Sequence, residues 1–213
     1  FDGAMSHAKV YVNGQEVGYW PYGYNSFYFD ITKQLMPGKK NALAVRLENL
    51  PESSRWYPGA GLYRNVHVIV TENAHIPVWG TYVTTPTATK EFAKVNVRTQ
   101  IVLLEGADAG KYSVKTSVWN PNGQKLTEQT IPLSQIKYND NSLSQEFIIQ
   151  TPTLWSPDMP ALYSAETRLY EGDQLKDIYT TPFGIRSIEI IPNKGFFLNG
   201  EKTVFKGVCN HHD

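Results

Sequence analysis

The end of the sequence combines an apolar run with polar side chains that could do chemistry. Residues 204–208 read Val-Phe-Lys-Gly-Val, and residues 209–213 continue as Cys-Asn-His-His-Asp. Polar and reactive side chains at the carboxyl end of a buried strand are typical of the catalytic rim of a (β/α)₈ barrel. We therefore predict that residues 204–208 form the first strand of a barrel, and that the rest of that barrel lies outside this sequence.

The histidine pair in this stretch does not predict a metal site. His211, His212 and Asp213 are adjacent in the sequence. Neighbouring side chains on an extended segment point to opposite faces, so these three cannot readily chelate one ion. We expect no metal here, and no pattern elsewhere in the sequence indicates a cofactor.

A second candidate site is the loop that contains Arg55, Trp56 and Tyr57 in a row, followed by a proline. Sugar sites combine aromatic rings, which stack on the C–H-rich faces of sugars, with charged donors for the hydroxyl groups. This loop offers both kinds of group, so we predict that it contacts a carbohydrate. The alternative is that Trp56 and Tyr57 pack against a neighbouring domain, and the sequence leaves both interpretations open.

The sequence supplies no recognisable catalytic pair. Glu189 and Glu201 lie on a predicted strand and a predicted hairpin, without a second carboxylate placed to face either of them. His7, His67 and His75 are scattered and lack carboxylate or serine partners in the sequence, so a nucleophilic triad is not expected. We therefore assign no catalytic residue and expect the isolated chain to be inactive.

The elements that must position these groups are predicted to be β-strands throughout. Apolar and polar residues alternate over short runs such as residues 8–12, 26–31, 41–47 and 62–70. Asn-Gly pairs at residues 13–14 and 199–200 predict hairpin turns, because both central residues of a type I′ turn need positive φ. Further short runs between residues 78 and 181 alternate in the same way and are separated by Gly, Asn and Pro.

Three segments follow from this pattern. Residues 1–74 are predicted to form a partial jelly-roll sandwich whose opening strands lie before Phe1. Residues 75–186 hold seven short predicted strands without paired cysteines, which is typical of an immunoglobulin-like or fibronectin-like sandwich, and we favour the immunoglobulin-like one. Residues 187–213 are predicted to form a linker hairpin and the first barrel strand.

Composition argues against some classes of partner. Twenty Lys and Arg residues balance twenty Asp and Glu residues, so the net charge is zero. A neutral chain has no extended positive field, which argues against nucleic acid and against an anionic membrane surface as partners. No run of about 18 apolar residues occurs, so no membrane-spanning segment is predicted.

Residues 19–24 read Tyr-Trp-Pro-Tyr-Gly-Tyr and place four aromatic side chains in one loop. So many rings in a Gly- and Pro-containing loop are expected to cover something, with a barrel favoured over a ligand. Exposed in an isolated chain, such a surface predicts self-association.

Taken in order, several motifs resemble one known family. They are FDG, VYVNGQEVGY, FYFDIT, NALAVRLEN, RWYPGAGLYRNV, LWSPDMPALYS, FGIRSIEI and FFLNGEKTVFKGVCNHHD. Over essentially the whole chain they resemble the amino-terminal half of family 2 glycoside hydrolases, which include β-galactosidases, β-glucuronidases and β-mannosidases. The RWYPGAGLYRNV segment most resembles bacterial β-galactosidase-type enzymes.

The resemblance implies a fold and an activity. In that family a jelly-roll sugar-binding domain and an immunoglobulin-like domain precede the catalytic barrel. The barrel carries two late glutamates that hydrolyse glycosides with retention of configuration. Neither glutamate has a counterpart in this sequence, so the resemblance implies an active parent protein that takes carbohydrate substrates and needs this missing barrel.

The resemblance also concerns two candidate sites. The family loop that matches residues 55–58 contributes to the substrate pocket, but Arg55 stands where an acidic residue is usual. His211 matches a histidine that lines the sugar pocket, whereas Cys209 and Asn210 replace the usual asparagine and basic residue. His211 is therefore a predicted substrate contact, and a purely structural role for it stays open.

One other class of function competes with this interpretation. A stand-alone carbohydrate-binding or adhesion module could also consist of two β-sandwiches. Such a module has no evident need for an apolar strand with a polar tip at its end, so we favour the platform of a glycosidase. Family members occur both in the cytoplasm and outside it, and we favour export only slightly.

Overall fold

The computed structural model describes residues 1–52, 59–135 and 142–209, which divide into two compact units. The first unit comprises Phe1–Ile69 together with the end of the chain from Gly207, and the second comprises Val70–Lys206. The described residues form β-strands joined by turns and loops, without an α-helix, so the predicted all-β class is confirmed. Short 3₁₀ turns occur at Thr32–Gln34, Ala109–Lys111 and Leu133–Gln135.

The first unit is organised around an antiparallel sheet in which β1 lies between β2 and β3. The three strands are β1 (Ala8–Val12), β2 (Gln15–Trp20) and β3 (Leu43–Arg46). Asn13 and Gly14 join β1 to β2 with φ of 51° and 81°, so the predicted hairpin is confirmed. The Asn13 side chain also donates to Gln34 O and accepts from Ala42 N, which ties the turn to the connection before β3.

The core of the first unit consists of small residues on the sheet and aromatic rings above it. Val10 and Phe27 are buried, and the Phe27 ring stacks on Phe1 and Trp20 with centroid distances of 4.9 Å and 5.6 Å. Gly18 leaves room for the Phe29 ring, since a Cβ there would lie 2.2 Å from a Phe29 ring carbon. Aromatic packing therefore holds residues 26–31 against the sheet.

Two strands predicted from alternation in this part of the chain are wrong. Residues 26–31 bury Phe27 and expose Tyr28 as their alternation indicates, yet they form no ladder with another strand. Residues 62–70 also form no strand, and Val68 and Val70 are exposed. Alternation describes which face a residue occupies, but a strand also needs a continuous ladder of backbone hydrogen bonds. Phe27 exchanges two hydrogen bonds with Phe1, and Asn65 O accepts one from Asp2 N, but these isolated contacts do not extend into a ladder among the described residues.

The second unit contains two sheets that pack face to face. Its strands are β4 (Thr81–Ala88), β5 (Phe92–Gln100), β6 (Tyr112–Trp119), β7 (Lys125–Pro132), β8 (Ser142–Gln150), β9 (Tyr163–Glu171) and β10 (Gln174–Phe183). One sheet has the order β4-β5-β8 and the other β10-β9-β6-β7, and neighbouring strands are antiparallel. The seven strands predicted in this region are therefore present, with bounds that differ by a few residues.

The interior of this sandwich has two apolar clusters and a polar layer between them. Strands β6, β8 and β9 place apolar side chains in both clusters, for example Phe147 in one and Val114 and Leu169 in the other. Strand β5 contributes Val97 to the first cluster, and Ile101, the residue after its end, belongs to the second. In each of these strands one buried polar residue lies between the residues of the two clusters, and these four are Thr99, Thr116, Gln145 and Thr167. We call these four residues the polar layer.

Hydrogen bonds within the polar layer join the two sheets. The Thr116 hydroxyl donates to Gln145 Oε1 at 2.6 Å, and the Gln145 amide donates to Gln129 O on β7 at 2.9 Å. The Thr116 proton is used in this way, so Thr167 must be the donor in its 3.2 Å contact with Thr116 Oγ1. The Thr99 hydroxyl, also buried, has no hydrogen-bond partner among the described residues.

After β10 the chain passes through residues 184–187 into a small hairpin sheet with the order β11-β12-β13. Its strands are β11 (Ile188–Ile191), β12 (Gly195–Leu198) and β13 (Glu201–Lys202). Asn199 and Gly200 have φ of 53° and 79°, which confirms the second predicted Asn-Gly turn.

The segment that follows β13 differs from its prediction as a buried strand. Residues 203–209 have no assigned strand, and Phe205 and Val208 are 75% and 85% exposed. A barrel strand is buried by strands and helices on both sides, and the described residues supply none here. The division into residues 1–74, 75–186 and 187–213 stays a prediction.

The polar layer predicts different effects for two chemically identical substitutions. Thr116→Val leaves Gln145 Oε1 and the Thr167 hydroxyl without their partner, so we expect the free energy of unfolding to fall by about 1–3 kcal/mol. Thr99→Val removes a buried hydroxyl that has no partner, so we expect an unchanged or higher stability. Urea unfolding of both variants tests this, and equal losses would show that the hydrogen bonds contribute nothing.

A charged cluster on the face of β6 and β7 predicts a dependence of stability on pH. The Glu128 carboxylate accepts from Lys125 at 2.9 Å, Lys115 at 3.1 Å and Ser117 at 3.1 Å. These hydrogen bonds, that of Lys125 first, lower the pKa of Glu128 from 4.5 to about 2. Because the folded pKa is depressed, the contribution is complete above pH 4.5 and is lost as the pH falls towards 2.

We therefore expect Glu128→Gln to reduce stability at neutral pH and to converge with the parent chain near pH 2. The cluster is exposed, so added salt should shrink the difference. Urea unfolding across this pH range measures it. Glu201→Gln, at an exposed position without an ion pair among the described residues, controls for the loss of one charge. A difference that stays constant with pH would contradict the assignment.

Candidate functional site

The residues predicted to contact sugar lie outside the described part of the chain. Arg55, Trp56 and Tyr57 belong to residues 53–58, and His211 belongs to residues 210–213. Their predicted roles remain predictions. The site can nevertheless be built from the segments that flank residues 53–58, which are described on both sides.

Both flanks of this loop are hydrogen-bonded to one short segment of the first unit. Before the loop, Glu48 N donates to Ser6 O at 3.0 Å and the Ser6 hydroxyl donates to Glu48 O at 3.0 Å. After the loop, Met5 and Gly61 exchange two backbone hydrogen bonds of 3.0 Å and 3.1 Å. Adjacent residues 5 and 6 therefore hold the two ends of the loop close together.

The segment after the loop is also tied to the aromatic loop at residues 19–24. The Tyr63 hydroxyl donates to Gly23 O at 2.9 Å, and the Arg64 guanidinium donates to Tyr24 O at 3.2 Å. Arg64 additionally donates to Asp2 O and lies 5.1 Å from the centroid of the Tyr63 ring. These contacts bring together three parts of the chain that are separate in sequence.

Position 23 is a close approach that favours glycine. A Cβ there would lie 2.4 Å from the Met5 sulfur and 3.3 Å from Met5 Cα. The sulfur could move aside, but the backbone atom leaves less room. Gly23 therefore lets its loop pack closely on Met5. The same Met5 also exchanges backbone hydrogen bonds with Gly61, which follows residues 53–58.

Three tyrosines of residues 19–24 are exposed beside these anchors, although Tyr19 and Trp20 lie at the end of β2 and only residues 21–24 form a loop. Tyr22 is 54% exposed and makes an edge contact with Tyr24 at a centroid distance of 5.4 Å. Tyr19 is also exposed, and its hydroxyl lies 2.6 Å from Nδ1 of His7. We call Tyr19, Tyr22, Tyr24 and His7 the tyrosine surface. Trp20, by contrast, packs on Phe27 in the core.

The tyrosine surface offers ring faces, hydroxyl groups and an imidazole. These are groups that bind hydroxyl-rich ligands, and they are equally common where one protein domain packs on another. His7 itself has a φ of 49°, an uncommon conformation for a residue other than glycine, of the kind that can accompany functional sites. Sequence composition indicated the aromatic loop, but the contact between His7 and Tyr19 was not predicted.

One of the three histidines has a carboxylate partner that the sequence did not reveal. His67 Nε2 lies 2.9 Å from Asp2 Oδ2, so the prediction that His67 lacks such a partner is wrong. The two residues are 65 positions apart, and only tertiary packing brings them together. His75 Nδ1 contacts the backbone oxygen of Glu72, which is a structural role.

The described residues contain no group of three or more His, Cys, Asp or Glu side chains that could share a metal ion. No helix among them is long and apolar enough to cross a membrane. Glu189 and Glu201 are exposed on β11 and β13, and neither has an ion pair among the described residues.

Groups with shifted pKa values lie elsewhere, in ion pairs of the sandwich. Lys176 pairs with Glu171 at 3.1 Å and Glu72 at 3.3 Å, and its hydrogen bond to Glu171 raises the pKa of Lys176. The same bond lowers the pKa of Glu171, whereas burial raises the pKa of Tyr112. The shifts of Lys176 and Glu171 result from the hydrogen bonds of an ion-pair network, so we do not assign these groups as a catalytic acid and base.

An open groove in the second unit is lined by β4 and by residues 183–188. Its polar groups are already engaged within the chain. The Thr85 hydroxyl donates to Arg186 O at 2.9 Å, and the Arg186 guanidinium lies over the Trp155 ring. This groove is therefore a poorer candidate for ligand binding than the tyrosine surface.

Comparisons with known proteins agree with the fold and extend it. The family model described as glycosyl hydrolases family 2 matches residues 74–186, which cover most of the β-sandwich unit. Among solved structures, a glycosyl hydrolase family 2 member from Bacteroides cellulosilyticus superposes with a TM-score of 0.90 at 36% identity. That match covers 100% of this chain and 29% of the other.

Curated relatives show the same coverage. A beta-galactosidase from Bacteroides ovatus, BoGH2A, is 37% identical over 100% of this chain, which corresponds to 25% of the relative. A beta-glucuronidase from Bacteroides fragilis is 30% identical over 100% of this chain and 32% of its own length. The chain thus spans about a quarter to a third of the length of these relatives.

Proposed function

The chain belongs to glycosyl hydrolase family 2, and we propose that it is the non-catalytic platform portion of a retaining β-glycosidase. The observation that carries the proposal is the alignment of the entire chain with one quarter of a beta-galactosidase at 37% identity. The parent protein would hydrolyse terminal β-linked sugars from oligosaccharides or glycosides, with β-galactosides as the favoured class. The platform would position the catalytic barrel and form part of the rim of its pocket.

The architecture that we propose is a partial jelly-roll sandwich followed by an immunoglobulin-like sandwich. Strand order in the second unit supports the latter assignment. Its first, second and fifth strands form one sheet, and its third, fourth, sixth and seventh strands form the other. Immunoglobulin-like domains divide their strands between two sheets in a similar way.

For residues 204–208 we propose the role of the first strand of the barrel. Support comes from their apolar composition and from the exposure of Val204, Phe205 and Val208. Three large apolar side chains exposed within a few residues are unusual for a free surface and are expected to be covered by another domain. His211 would then follow this strand at the barrel rim.

For substrate contacts we propose Arg55, Trp56, Tyr57 and His211. The support is indirect and comes from the hydrogen bonds of the segments on either side of residues 53–58. Ser6 and Met5 hold the described residues on either side of this loop, at Glu48 and Gly61. A loop of this kind can present aromatic rings and a guanidinium to a sugar without a large cost in chain ordering.

The proposal predicts different activities for this chain and for the longer natural protein that would contain it. We expect no hydrolysis of p-nitrophenyl β-galactoside or β-glucuronide by residues 1–213 alone, because no catalytic carboxyl pair is identified. The longer protein should hydrolyse one of these substrates and release the β-anomer first, as seen by proton NMR. Lack of activity towards both substrates, or initial release of the α-anomer, would contradict the proposal.

The same assay tests the proposed substrate contacts. In the longer protein, Trp56→Ala should lower kcat/KM by roughly tenfold, which corresponds to about 1.4 kcal/mol. Tyr82→Ala, which removes an exposed tyrosine from β4 of the other unit, is the matched control and should leave kcat/KM unchanged. Equal effects of the two variants would show that Trp56 does not contact the substrate.

The competing function, a stand-alone carbohydrate-binding module, is tested with the chain as it is. Calorimetric titration with galactosides and longer oligosaccharides should show no binding tighter than millimolar if the platform proposal holds. A micromolar isotherm for residues 1–213 would favour the binding module. The tyrosine surface would then be the first place to look for the ligand.

We also propose that the isolated chain self-associates. The tyrosine surface and the apolar residues after β13 are exposed, and a large apolar exposure favours association. Light scattering as a function of protein concentration should show a rising average mass. A monodisperse monomer at high concentration would contradict this, and Phe205→Ser should reduce any association more than Tyr82→Ser, which alters β4.

A further inference from the structure

Three segments that are far apart in sequence meet where the chain leaves the sandwich. They are the loop that begins at Trp155, the link at residues 184–187, and the hairpin turn at Asn199. We call the four residues Trp155, Gly184, Arg186 and Asn199 the joint. All of them belong to the second unit.

Three contacts hold Trp155 on the link. One joins its backbone to Ile185, and the other two involve Gly184 and Arg186, the residues on either side of Ile185. Its backbone N–H donates to Ile185 O at 2.8 Å, and Ile185 is fully buried. A Cβ at Gly184 would lie 2.9 Å from Trp155 Cβ and Cγ, so the link approaches the tryptophan closely at this point. The Arg186 guanidinium lies 4.8 Å from the Trp155 ring, at a distance suited to a cation–π interaction.

Asn199 connects the hairpin to both of the other segments. Its backbone N–H donates to Ser187 O at 2.9 Å, and its side-chain Oδ1 accepts from Ser187 N at 3.0 Å. Its Nδ2 donates to Trp155 O at 3.0 Å. The side-chain amide therefore uses its oxygen on the link and its nitrogen on the loop.

A type I′ turn by itself requires none of these contacts. The preference for asparagine at such a turn comes from its tolerance of positive φ. Asn193, in the turn between β11 and β12, shows the difference, because it also has a positive φ of 62° but is exposed and makes no side-chain hydrogen bond among the described residues. The contacts of Asn199 thus go beyond what its turn needs.

We propose that Asn199, Trp155 and Arg186 act as positioning residues that lock the hairpin sheet β11-β12-β13 onto the sandwich. The lock determines the direction in which the chain continues at Thr203. Its relevance to catalysis rests on the proposed function, since a barrel would begin on that segment. The lock itself is a property of this chain and can be tested without any activity.

The alternative is that the hairpin is held by its own ladder and by burial of Leu198 alone. Asn199→Asp separates the two ideas. Aspartate tolerates positive φ and keeps an oxygen for Ser187 N–H, so the turn and the ladder can form. It lacks the Nδ2 donor, however, and places a carboxylate oxygen opposite Trp155 O. Asn193→Asp makes the same chemical change where no contact is lost, and is the matched control.

The orientation of the hairpin is measured by residual dipolar couplings of its backbone amides in residues 1–213. In the parent chain and in Asn193→Asp, couplings from β11 and β12 should fit the alignment tensor obtained from β5, β6, β8 and β9. In Asn199→Asp they should no longer fit it. Amide hydrogen exchange in β11 and β12 should accelerate by roughly tenfold or more, while exchange in β5 and β8 stays unchanged.

Arg186→Lys provides a second route if Asn199→Asp also lowers the stability of the sandwich. Lysine keeps the charge but lacks the planar group that lies over Trp155, so the same loss of fit in β11 and β12 is expected. The proposal is overturned if both variants give the couplings and exchange rates of Asn193→Asp. That outcome would not contradict the proposed role as a glycosidase platform, because the experiment tests only the contacts that hold the hairpin.

Discussion

The hydrogen bond from Thr116 to Gln145 is the contact on which the arrangement of the sandwich depends most. It joins β6 in one sheet to β8 in the other, and the Gln145 amide continues to the backbone of β7. Because side chains on a strand alternate with a period of two, a shift of β8 by one residue would move Gln145 to the surface. A shift by two would place its amide among apolar side chains, where an unpaired polar group is costly. The polar layer therefore specifies both the register of the strands and the way in which the two sheets face each other.

A sandwich fixed in this way provides a rigid base for the segments at its end. Ile185 is buried at the edge of one apolar cluster, and the link that contains it carries the Trp155 and Asn199 contacts. The hairpin beyond the link exposes apolar side chains that the described residues do not cover. This combination of a rigid base and an apolar, uncovered continuation fits a domain that positions another one better than it fits a free-standing module.

In the first unit, backbone hydrogen bonds rather than a buried polar layer fix the segments near the candidate site. Backbone hydrogen bonds from Met5 and Ser6 hold the flanks of residues 53–58, and Tyr63 and Arg64 hold the aromatic loop against them. Most of these contacts use backbone carbonyl oxygens as acceptors, so they constrain the path of the backbone at these anchors, beside which Tyr19, Tyr22 and Tyr24 are exposed. Loops on a rigid support are the usual location of binding residues.

Local patterns in the sequence indicated most of the strands, two hairpin turns and the family. Alternation located β5, β8 and β9, and the Asn-Gly pairs located two hairpins, because face alternation and positive φ are properties of neighbouring residues. The order of motifs was enough to indicate glycoside hydrolase family 2, while the predicted sugar contacts at residues 55–57 and 211 lie outside the described chain.

Tertiary structure alone decided which alternating segments became strands. Residues 62–70 alternate as well as β5 does, yet they join no strand ladder within the described part of the chain, and pairing is a long-range event that a local pattern does not encode. It also decided the contacts of His67 with Asp2, of Asn199 with Trp155 and of Thr116 with Gln145, since each joins residues that only the packed fold brings within hydrogen-bonding distance.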